Sequence, residues 1–149
     1  MVYFLDTNIF VRIIVSDEKE MTEECERLLE QVRAGQIEAA TSPVVLMEVG
    51  WLLKSFYKYP RLKIASLLGS ISKMRGLTIN EDLDIVAALE YYRTTNVSLT
   101  DAVIAAIPKI ASKEWAVVSY DEGFKKLPVK WQKPGKVLER LMLGRAEAV

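Results

Sequence analysis

The fold of this chain is decided by the segment Val2–Asn8, which has the sequence VYFLDTN. Its first four residues are apolar, as expected for a short inner strand that is buried on both faces of a parallel sheet. The three polar residues that follow predict a turn at the carboxyl end of that strand, where open parallel sheets bind their ligands. The acid of this turn, Asp6, is therefore the first candidate for a functional residue.

Residues 1–15 are mostly apolar and invite comparison with an export signal or a membrane span. No basic leader precedes the apolar run, and Asp6, Asn8 and Arg12 interrupt it, so neither fits. We interpret the segment as a buried strand instead. The single cysteine, Cys25, cannot form an internal disulfide, which favours a reducing compartment. We therefore expect a cytoplasmic protein without membrane contact.

Further along the chain, short apolar runs alternate with helical patterns. The predicted strands are Ile37–Thr41, Leu77–Ile79, Trp115–Ser119 and Val129–Gln132. The predicted helices are Thr22–Ala34, Ser42–Tyr57, one from Pro60 or Arg61 to Arg75, Glu81–Thr95 after an Asn80 cap, and one that begins near Ser98, which Pro108 should kink or end early. This alternation predicts an α/β fold, a three-layer α/β/α sandwich with a short central parallel sheet. At 149 residues, the chain has the usual size of one domain.

Composition excludes several kinds of active site. Without histidine, the chain cannot form a Ser-His-Asp triad, a Cys-His pair, a histidine-based ribonuclease site or a His-rich zinc site. It also lacks the glycine-rich loops that hold nucleotide phosphates. The 20 basic and 20 acidic residues balance, so net charge does not point to nucleic acid. Residues 123–145, however, carry seven basic residues against one acid, which indicates either a solvated face or the lining of a substrate groove.

Four acids are candidates for one shared site: Asp6, Glu48, Asp101 and Asp121. Asp6 and Asp121 follow predicted strands, although turn or capping roles would explain them equally well. Glu48 lies in a helix that is apolar nearly all round, so we expect it to be buried and to need either a metal ion or a basic partner. Asp101 heads an apolar helix, but its spacing from Ser98 also matches a capping box.

The four acids together suggest a chemistry that none suggests alone. Clustered carboxylates repel one another unless hard cations lie between them, and Mg²⁺ or Mn²⁺ is the natural occupant of an all-oxygen site. Such ions can make a bound water nucleophilic and stabilise charge on an attacked phosphate. Hydrolysis of a phosphodiester therefore fits the residues, and it requires no side-chain base.

Four motifs, in this order along the chain, resemble those of the PIN domains, and in particular the VapC-like toxins of prokaryotic toxin-antitoxin pairs. The motifs are Phe4–Asn8, Ser42–Val49, Asp101–Ala106 and Val118–Phe124. The match spans nearly the whole chain and implies a single PIN domain over residues 1–149. It further implies a metal-dependent endoribonuclease.

The resemblance also implies roles for individual residues. Asp6, Glu48, Asp101 and Asp121 match the family's acidic quartet, with Asp6 and Asp101 as the expected direct metal ligands. Thr7, Asn8 and Ser119 match positions that support the site by hydrogen bonds.

Partners follow from the same resemblance: an RNA substrate, an antitoxin that lays a segment into the active-site groove, and a second copy of the chain in a homodimer. We expect five lysines to contact RNA phosphates, namely Lys125, Lys126, Lys130, Lys133 and Lys136. An apolar surface for protein partners could come from Trp51, Phe56, Tyr57, Tyr59, Leu62, Leu67 and Leu68, although core packing explains each of them better.

Several other functions compete with a toxin. The first is a PIN-domain nuclease that processes RNA outside any toxin-antitoxin pair. The second is a catalytically silent module that binds RNA or protein, which the complete quartet disfavours. A receiver-like signalling domain fits poorly, because Thr7 and Asn8 follow Asp6 where that chemistry needs a second acid. Asn8 likewise occupies the position where a haloacid-type phosphatase needs an aspartate.

Overall fold

The computed structural model describes residues 1–148. Its strands are β1 (Val2–Leu5), β2 (Glu38–Thr41), β3 (Leu77–Ile79), β4 (Trp115–Val118) and β5 (Lys130–Gln132). Its α-helices are α1 (Thr7–Val15), α2 (Lys19–Arg33), α3 (Pro43–Ser55), α4 (Arg61–Ser72), α5 (Ile85–Thr94), α6 (Leu99–Ala105), α7 (Pro108–Ala111) and α8 (Pro134–Ala148), and a 3-10 helix covers Glu122–Lys126. The α/β architecture predicted from the sequence is confirmed.

The sheet is parallel throughout residues 1–148 and has the strand order β3-β2-β1-β4-β5. Its central strand β1 pairs with β2 on one side and β4 on the other, with Phe4 opposite both Ala40 and Val117. All three residues are fully buried, as expected for inner strands covered by helices on both faces. The chain winds outward from β1 in opposite directions through β2 and through β4, so the crevice above β1 and β4 is the place where such sheets bind ligands.

The strand interpretation of residues 1–15 is wrong beyond Leu5, because α1 starts at Thr7. The Asp6 carboxylate caps this helix by accepting the Thr7 backbone N–H. The helix ends at Ser16, which has a left-handed φ of 56° and donates its N–H to the carbonyl of Arg12. The apolar residues that follow the polar turn therefore belong to helix α1, which packs on the sheet, and not to a strand.

The predicted start of the helix before Thr95 is also wrong. Helix α5 begins at Ile85, and Asp84 rather than Asn80 caps it, accepting the Ala87 N–H at 3.0 Å. Asn80 instead extends β3, since its backbone N–H donates to the carbonyl of Thr41 at 2.8 Å. The expectation for Pro108 is confirmed: α6 ends at Ala105, and the proline opens α7 at a position where its missing N–H costs nothing.

No helix in residues 1–148 is both long enough and apolar enough to cross a membrane.

Candidate active site

The candidate site lies at the carboxyl ends of β1 and β4, above the point where the chain's winding reverses. Asp6 follows β1 directly, and its backbone N–H donates to the carbonyl of Val118, the last residue of β4, at 3.1 Å. This bond fixes the position of Asp6 relative to the segment 119–121 that leaves β4. Two acids far apart in sequence, Asp6 and Asp121, are thereby brought to the same edge of the sheet.

Ser119 joins the two chain segments through its hydroxyl group. Its Oγ donates to Oδ2 of Asp6 at 2.6 Å and accepts from Nδ2 of Asn8 and the N–H of Asp121, both at 2.9 Å. A hydroxyl offers one donor and two acceptor positions, so Ser119 is fully used. The Asn8 amide oxygen also accepts the Tyr120 N–H at 3.2 Å. The supporting positions suggested by the resemblance therefore form one connected network around Asp6.

The other support of Asp6 comes from Thr7. The Thr7 N–H donates to Oδ1 of Asp6 at 2.7 Å, while the Thr7 hydroxyl is buried and has no hydrogen-bond partner in residues 1–148. A buried hydroxyl without a partner is costly and calls for a bound water or ligand. Thr7 is one of the residues that line the candidate cleft.

Asp101 is buried at the start of α6. The Ser98 hydroxyl accepts the Asp101 N–H at 3.1 Å, as in a capping box, but the reciprocal bond, in which the Ser98 N–H would donate to the Asp101 carboxylate, is absent from the described residues. The carboxyl group instead faces Asp121, because both carboxyl groups lie around the space that Gly123 leaves open. Ser98 thus acts as the cap, which leaves the Asp101 carboxyl group free to face the other acids.

Asp121 is exposed and caps the 3-10 helix by accepting the Gly123 N–H at 2.8 Å. Gly123 permits this approach, because a Cβ at that position would lie 3.0 Å from Oδ1 of Asp121 and 3.3 Å from Oδ2 of Asp101. The glycine of the fourth motif thus leaves room for two carboxyl groups beside each other.

Glu48 corrects one expectation from the sequence. Helix α3 is not buried all round, since Met47 is 73% and Trp51 64% exposed, and Glu48 itself is only half-buried on the cleft wall. Within residues 1–148 it forms no ion pair. The burial of Glu48 alone therefore requires neither a metal ion nor a basic side chain beside it.

Burial and mutual repulsion shift the titration of two acids. Desolvation raises the pKa of Asp6 from 3.8 to about 6, against the hydrogen bonds from Ser119 and Thr7, which lower it. Desolvation also raises the pKa of Asp101 to about 8, helped by the hydrogen bond with Asp121 and by the charges of Asp6, Asp121 and Glu48. No cation in residues 1–148 is among the causes that lower these two pKa values, so burial and the neighbouring acids prevail.

The four acids line one open cleft of about 440 Å³. Its wall consists of Asp6, Thr7, Asn8, Val11, Arg12, Glu48, Leu52, Phe56, Tyr57, Ser98, Asp101 and Asp121. Sequence reasoning brought together the acids but missed Arg12, the basic residue of this wall. A signal was available, because Asn8 and Arg12 lie four residues apart and so share one face of α1.

The five lysines predicted to contact RNA lie outside this cleft. Lys125 and Lys133 lie 3.0 and 3.8 Å from Glu122, and Lys126 approaches the Asn96 carbonyl at 3.5 Å. Lys130 and Lys136 line a different groove at the edge of the sheet. Their contact with RNA stays a prediction.

The residues of the cleft fit a hard divalent cation. The four carboxyl groups supply oxygen ligands, the Thr7 hydroxyl lacks a partner in residues 1–148, and the space that Gly123 leaves open lies between two of those carboxyl groups. No three acidic or cysteine side chains among residues 1–148 are close enough to enclose an ion by themselves. That arrangement suits Mg²⁺, which binds through one or two carboxylates and retains several waters.

A PIN-domain family model matches residues 3–130. The chain belongs to the PIN-domain family. Solved structures of similar fold include a chain of the VapBC2 complex from Rickettsia felis, crystallised with promoter DNA, at 22% identity and a TM-score of 0.64 over 89% of this chain and 98% of that one. A Pyrobaculum aerophilum protein matches at 14% identity and a TM-score of 0.67, covering 96% of both chains.

A third similar structure is the Mycobacterium tuberculosis toxin VapC20, described as cleaving the sarcin-ricin loop, at 18% identity and a TM-score of 0.64 over 83% of this chain and 92% of that one. No curated protein matches the chain. At these identities the likeness establishes the PIN fold, so the activity has to be argued from the site.

Proposed function

We propose that this PIN domain is a Mg²⁺- or Mn²⁺-dependent endoribonuclease that hydrolyses RNA phosphodiester bonds, acting as the toxin of a VapBC-type pair. The observation that carries the proposal is the convergence of Asp6, Glu48, Asp101 and Asp121 on one cleft at the reversal point of a parallel sheet. Solved structures of similar fold include toxins and toxin-antitoxin complexes, which supports the toxin role.

Asp6 and Asp101 are the proposed direct ligands, because both are buried and both have raised pKa values that a nearby cation would lower. Glu48 and Asp121 are more exposed and would act through water. When bound, the ion would activate a water for attack on phosphorus and stabilise charge on the phosphate.

The remaining polar residues orient the metal ligands and take no part in the reaction itself. Ser119 and the Thr7 N–H hold the two oxygens of Asp6 from opposite sides, at 2.6 and 2.7 Å, which fixes the orientation of its carboxylate. Asn8 in turn holds Ser119. We expect the Thr7 hydroxyl to bind a water of the cation, since it has no protein partner in residues 1–148.

Arg12 is the proposed contact for the scissile phosphate. It lines the cleft, its side chain is 31% exposed and pairs with Asp17 at 3.2 Å, and its Nε is buried without a partner in residues 1–148. A guanidinium group can hold a phosphate with two parallel hydrogen bonds, which an ammonium group cannot.

Protein partners remain part of the proposal. Of the seven apolar residues considered, Trp51, Phe56 and Leu62 are 64%, 72% and 83% exposed, while the other four pack partly buried against the core. The three exposed side chains extend from the cleft wall along α3 and α4, where we propose that an antitoxin or the second copy of a homodimer binds.

The test is cleavage of a mixed single-stranded RNA pool by the purified protein with Mg²⁺, Mn²⁺ or EDTA. Wild type should cut only with a divalent ion, and Asp6→Asn and Asp101→Asn should not cut. Arg12→Lys should lose activity nearly as far as Arg12→Gln, because the lysine restores charge but not the paired hydrogen bonds. A folded wild type that binds RNA yet leaves it intact with either ion would favour a silent binding module.

A further inference from the structure

We propose that a second groove, between strand β5 and helix α8, holds the RNA strand beside the cut site. The polar side chains that line the β5–α8 groove are those of Lys130, Gln132, Lys136, Glu139 and Arg140, together with the indole of Trp131, and its apolar lining includes Ala116 of β4 and Met1. Its volume of about 670 Å³ exceeds that of the candidate cleft. This inference rests on the proposed function, because it assigns part of the same RNA substrate.

The groove adjoins the active site through Ser119. Strand β5 ends at Gln132, whose carbonyl accepts the Ser119 N–H at 3.2 Å, and the Trp131 indole donates to the Ser119 carbonyl at 3.1 Å. Gln132, at the carboxyl end of β5, also lines the groove, so this end of the groove lies beside the carboxyl ends of the strands that carry the active site. A strand of RNA leaving the cleft past Asp121 would therefore meet this end of the groove next.

The charge of the groove suits a polyanion. Lys130, Lys136 and Arg140 face a single acid, Glu139, which pairs with Lys136 at 3.2 Å on the exposed surface. Exposed pairs of this kind are weak and readily exchanged. Within residues 1–148, Lys130 and Arg140 form no ion pair, so two cations are available for phosphates.

Trp131 makes RNA a better occupant than an acidic protein segment. Its ring is partly exposed on the groove wall, and the Lys125 ammonium lies 5.6 Å from the ring centroid. An aromatic ring beside a row of cations is the arrangement with which proteins hold single-stranded nucleic acid, since bases stack on the ring while phosphates meet the cations.

The test compares RNA affinity in the Asp6→Asn background, so that cleavage does not intervene. The groove variant is Lys130→Gln with Arg140→Gln, and the matched control is Lys73→Gln with Arg61→Gln, two exposed residues of α4 and its C-terminal cap. Two single-stranded RNAs, of about 4 and about 12 nucleotides, differ in whether they can reach from the cleft into the groove.

We expect the groove variant to bind the longer RNA more weakly and to reduce its log-affinity-versus-log-salt slope by about 1.4, the loss of two single-strand phosphate contacts. Binding of the shorter RNA, and both RNAs on the control variant, should stay unchanged. Equal slopes for groove variant and parent would overturn the inference, as would equally strong competition by polyglutamate, which would indicate an acidic protein partner. If wild type cleaves RNA but the groove variant and its parent have equal slopes, only the proposed role of the groove is refuted. If the slope depends on the groove residues but wild type does not cleave RNA, only the proposed nuclease activity is refuted.

Discussion

Replacing Asp6 with asparagine should change how the stability of the metal-free protein depends on pH. In the folded protein the Asp6 carboxyl group binds its proton more tightly than in the unfolded chain, because its pKa rises from 3.8 to about 6. Between these values the folded state holds more protons than the unfolded state, so the free energy of unfolding falls as pH rises. The asparagine variant lacks this titration.

The magnitude follows from the separation of the two pKa values. About two pH units at about 1.4 kcal/mol each give a limit of about 3 kcal/mol, of which about 2 kcal/mol should develop between pH 4 and pH 8. The amide oxygen of the variant can still accept the Thr7 N–H, so the added cost is the lost hydrogen bond from Ser119, which is nearly independent of pH. Removing the Asp6 charge also lowers the pKa of Asp101, which changes the difference in the same direction.

Urea unfolding in EDTA at several pH values measures this difference directly. The stability of Asp6→Asn relative to wild type should rise by about 2 kcal/mol or more from pH 4 to pH 8. Adding Mg²⁺ at pH 8 should then stabilise wild type by about 2.7 kcal/mol at a hundredfold excess over its dissociation constant, and the variant by much less. Parallel stability curves across this range would show that Asp6 ionises in the fold as easily as in the unfolded chain, and would refute the reasoning.

Three further predictions concern the same network and its frame. Ser119→Ala should weaken metal binding about 10- to 100-fold, because it removes a hydrogen bond that orients the Asp6 carboxylate, and Ser119→Thr should retain the affinity. Isothermal titration with Mn²⁺ measures the affinity of both variants. An alanine variant with unchanged affinity would show that Ser119 does not support the metal site. Calorimetry near pH 7 in buffers of different ionisation enthalpy should show proton release on metal binding, because the pKa of Asp101 is about 8 without the ion, and buffer-independent heats would contradict this. Gly76→Ala should destabilise the protein by more than about 1 kcal/mol, because φ is +84° and a Cβ would lie 2.3 Å from a backbone carbonyl of α2. Gly69→Ala, in the open interior of α4, should instead stabilise the protein by about 0.5 to 1 kcal/mol. Equal shifts of the melting temperature for the two variants would be incompatible with this account.

Strands were the more predictable part of the fold, because parallel strands are buried on both faces and stand out as continuous apolar runs. The strand β3 has the predicted bounds, β1 covers the apolar residues Val2–Leu5 but does not continue towards Val15, and the other strands differ by one residue at an end. Helix starts were harder. Asn80 and Asp84 are both good caps four residues apart, and only the hydrogen bond from Asn80 to the neighbouring strand β2 decides between them.

Positions in the candidate site could be predicted where they follow from the adjacent sequence, and could not where they depend on how other helices pack. Asp6 and Asp121 follow strands, so parallel topology alone brings them to one edge of the sheet. The exposure of Glu48 could not be predicted, because an apolar sequence such as that of α3 does not show which of its faces lacks a covering element. Arg12 was missed for a related reason: its place on the cleft wall depends on residues 7–15 forming a helix, whereas their apolar sequence predicts a strand.

The raised pKa values of Asp6 and Asp101 connect stability with the proposed function. Hydrogen bonds from Ser119 and Thr7 favour the charged form of Asp6, yet burial and the neighbouring acids outweigh them. A purely structural role would be served as well by an amide, which caps a helix without this electrostatic cost. The arrangement opposes folding at neutral pH unless something cationic compensates, and Arg12 already has Asp17 as a partner. Because a divalent ion would convert this cost into binding free energy, the balance of charges around Asp6 argues for a metal-dependent role better than the presence of the acids alone.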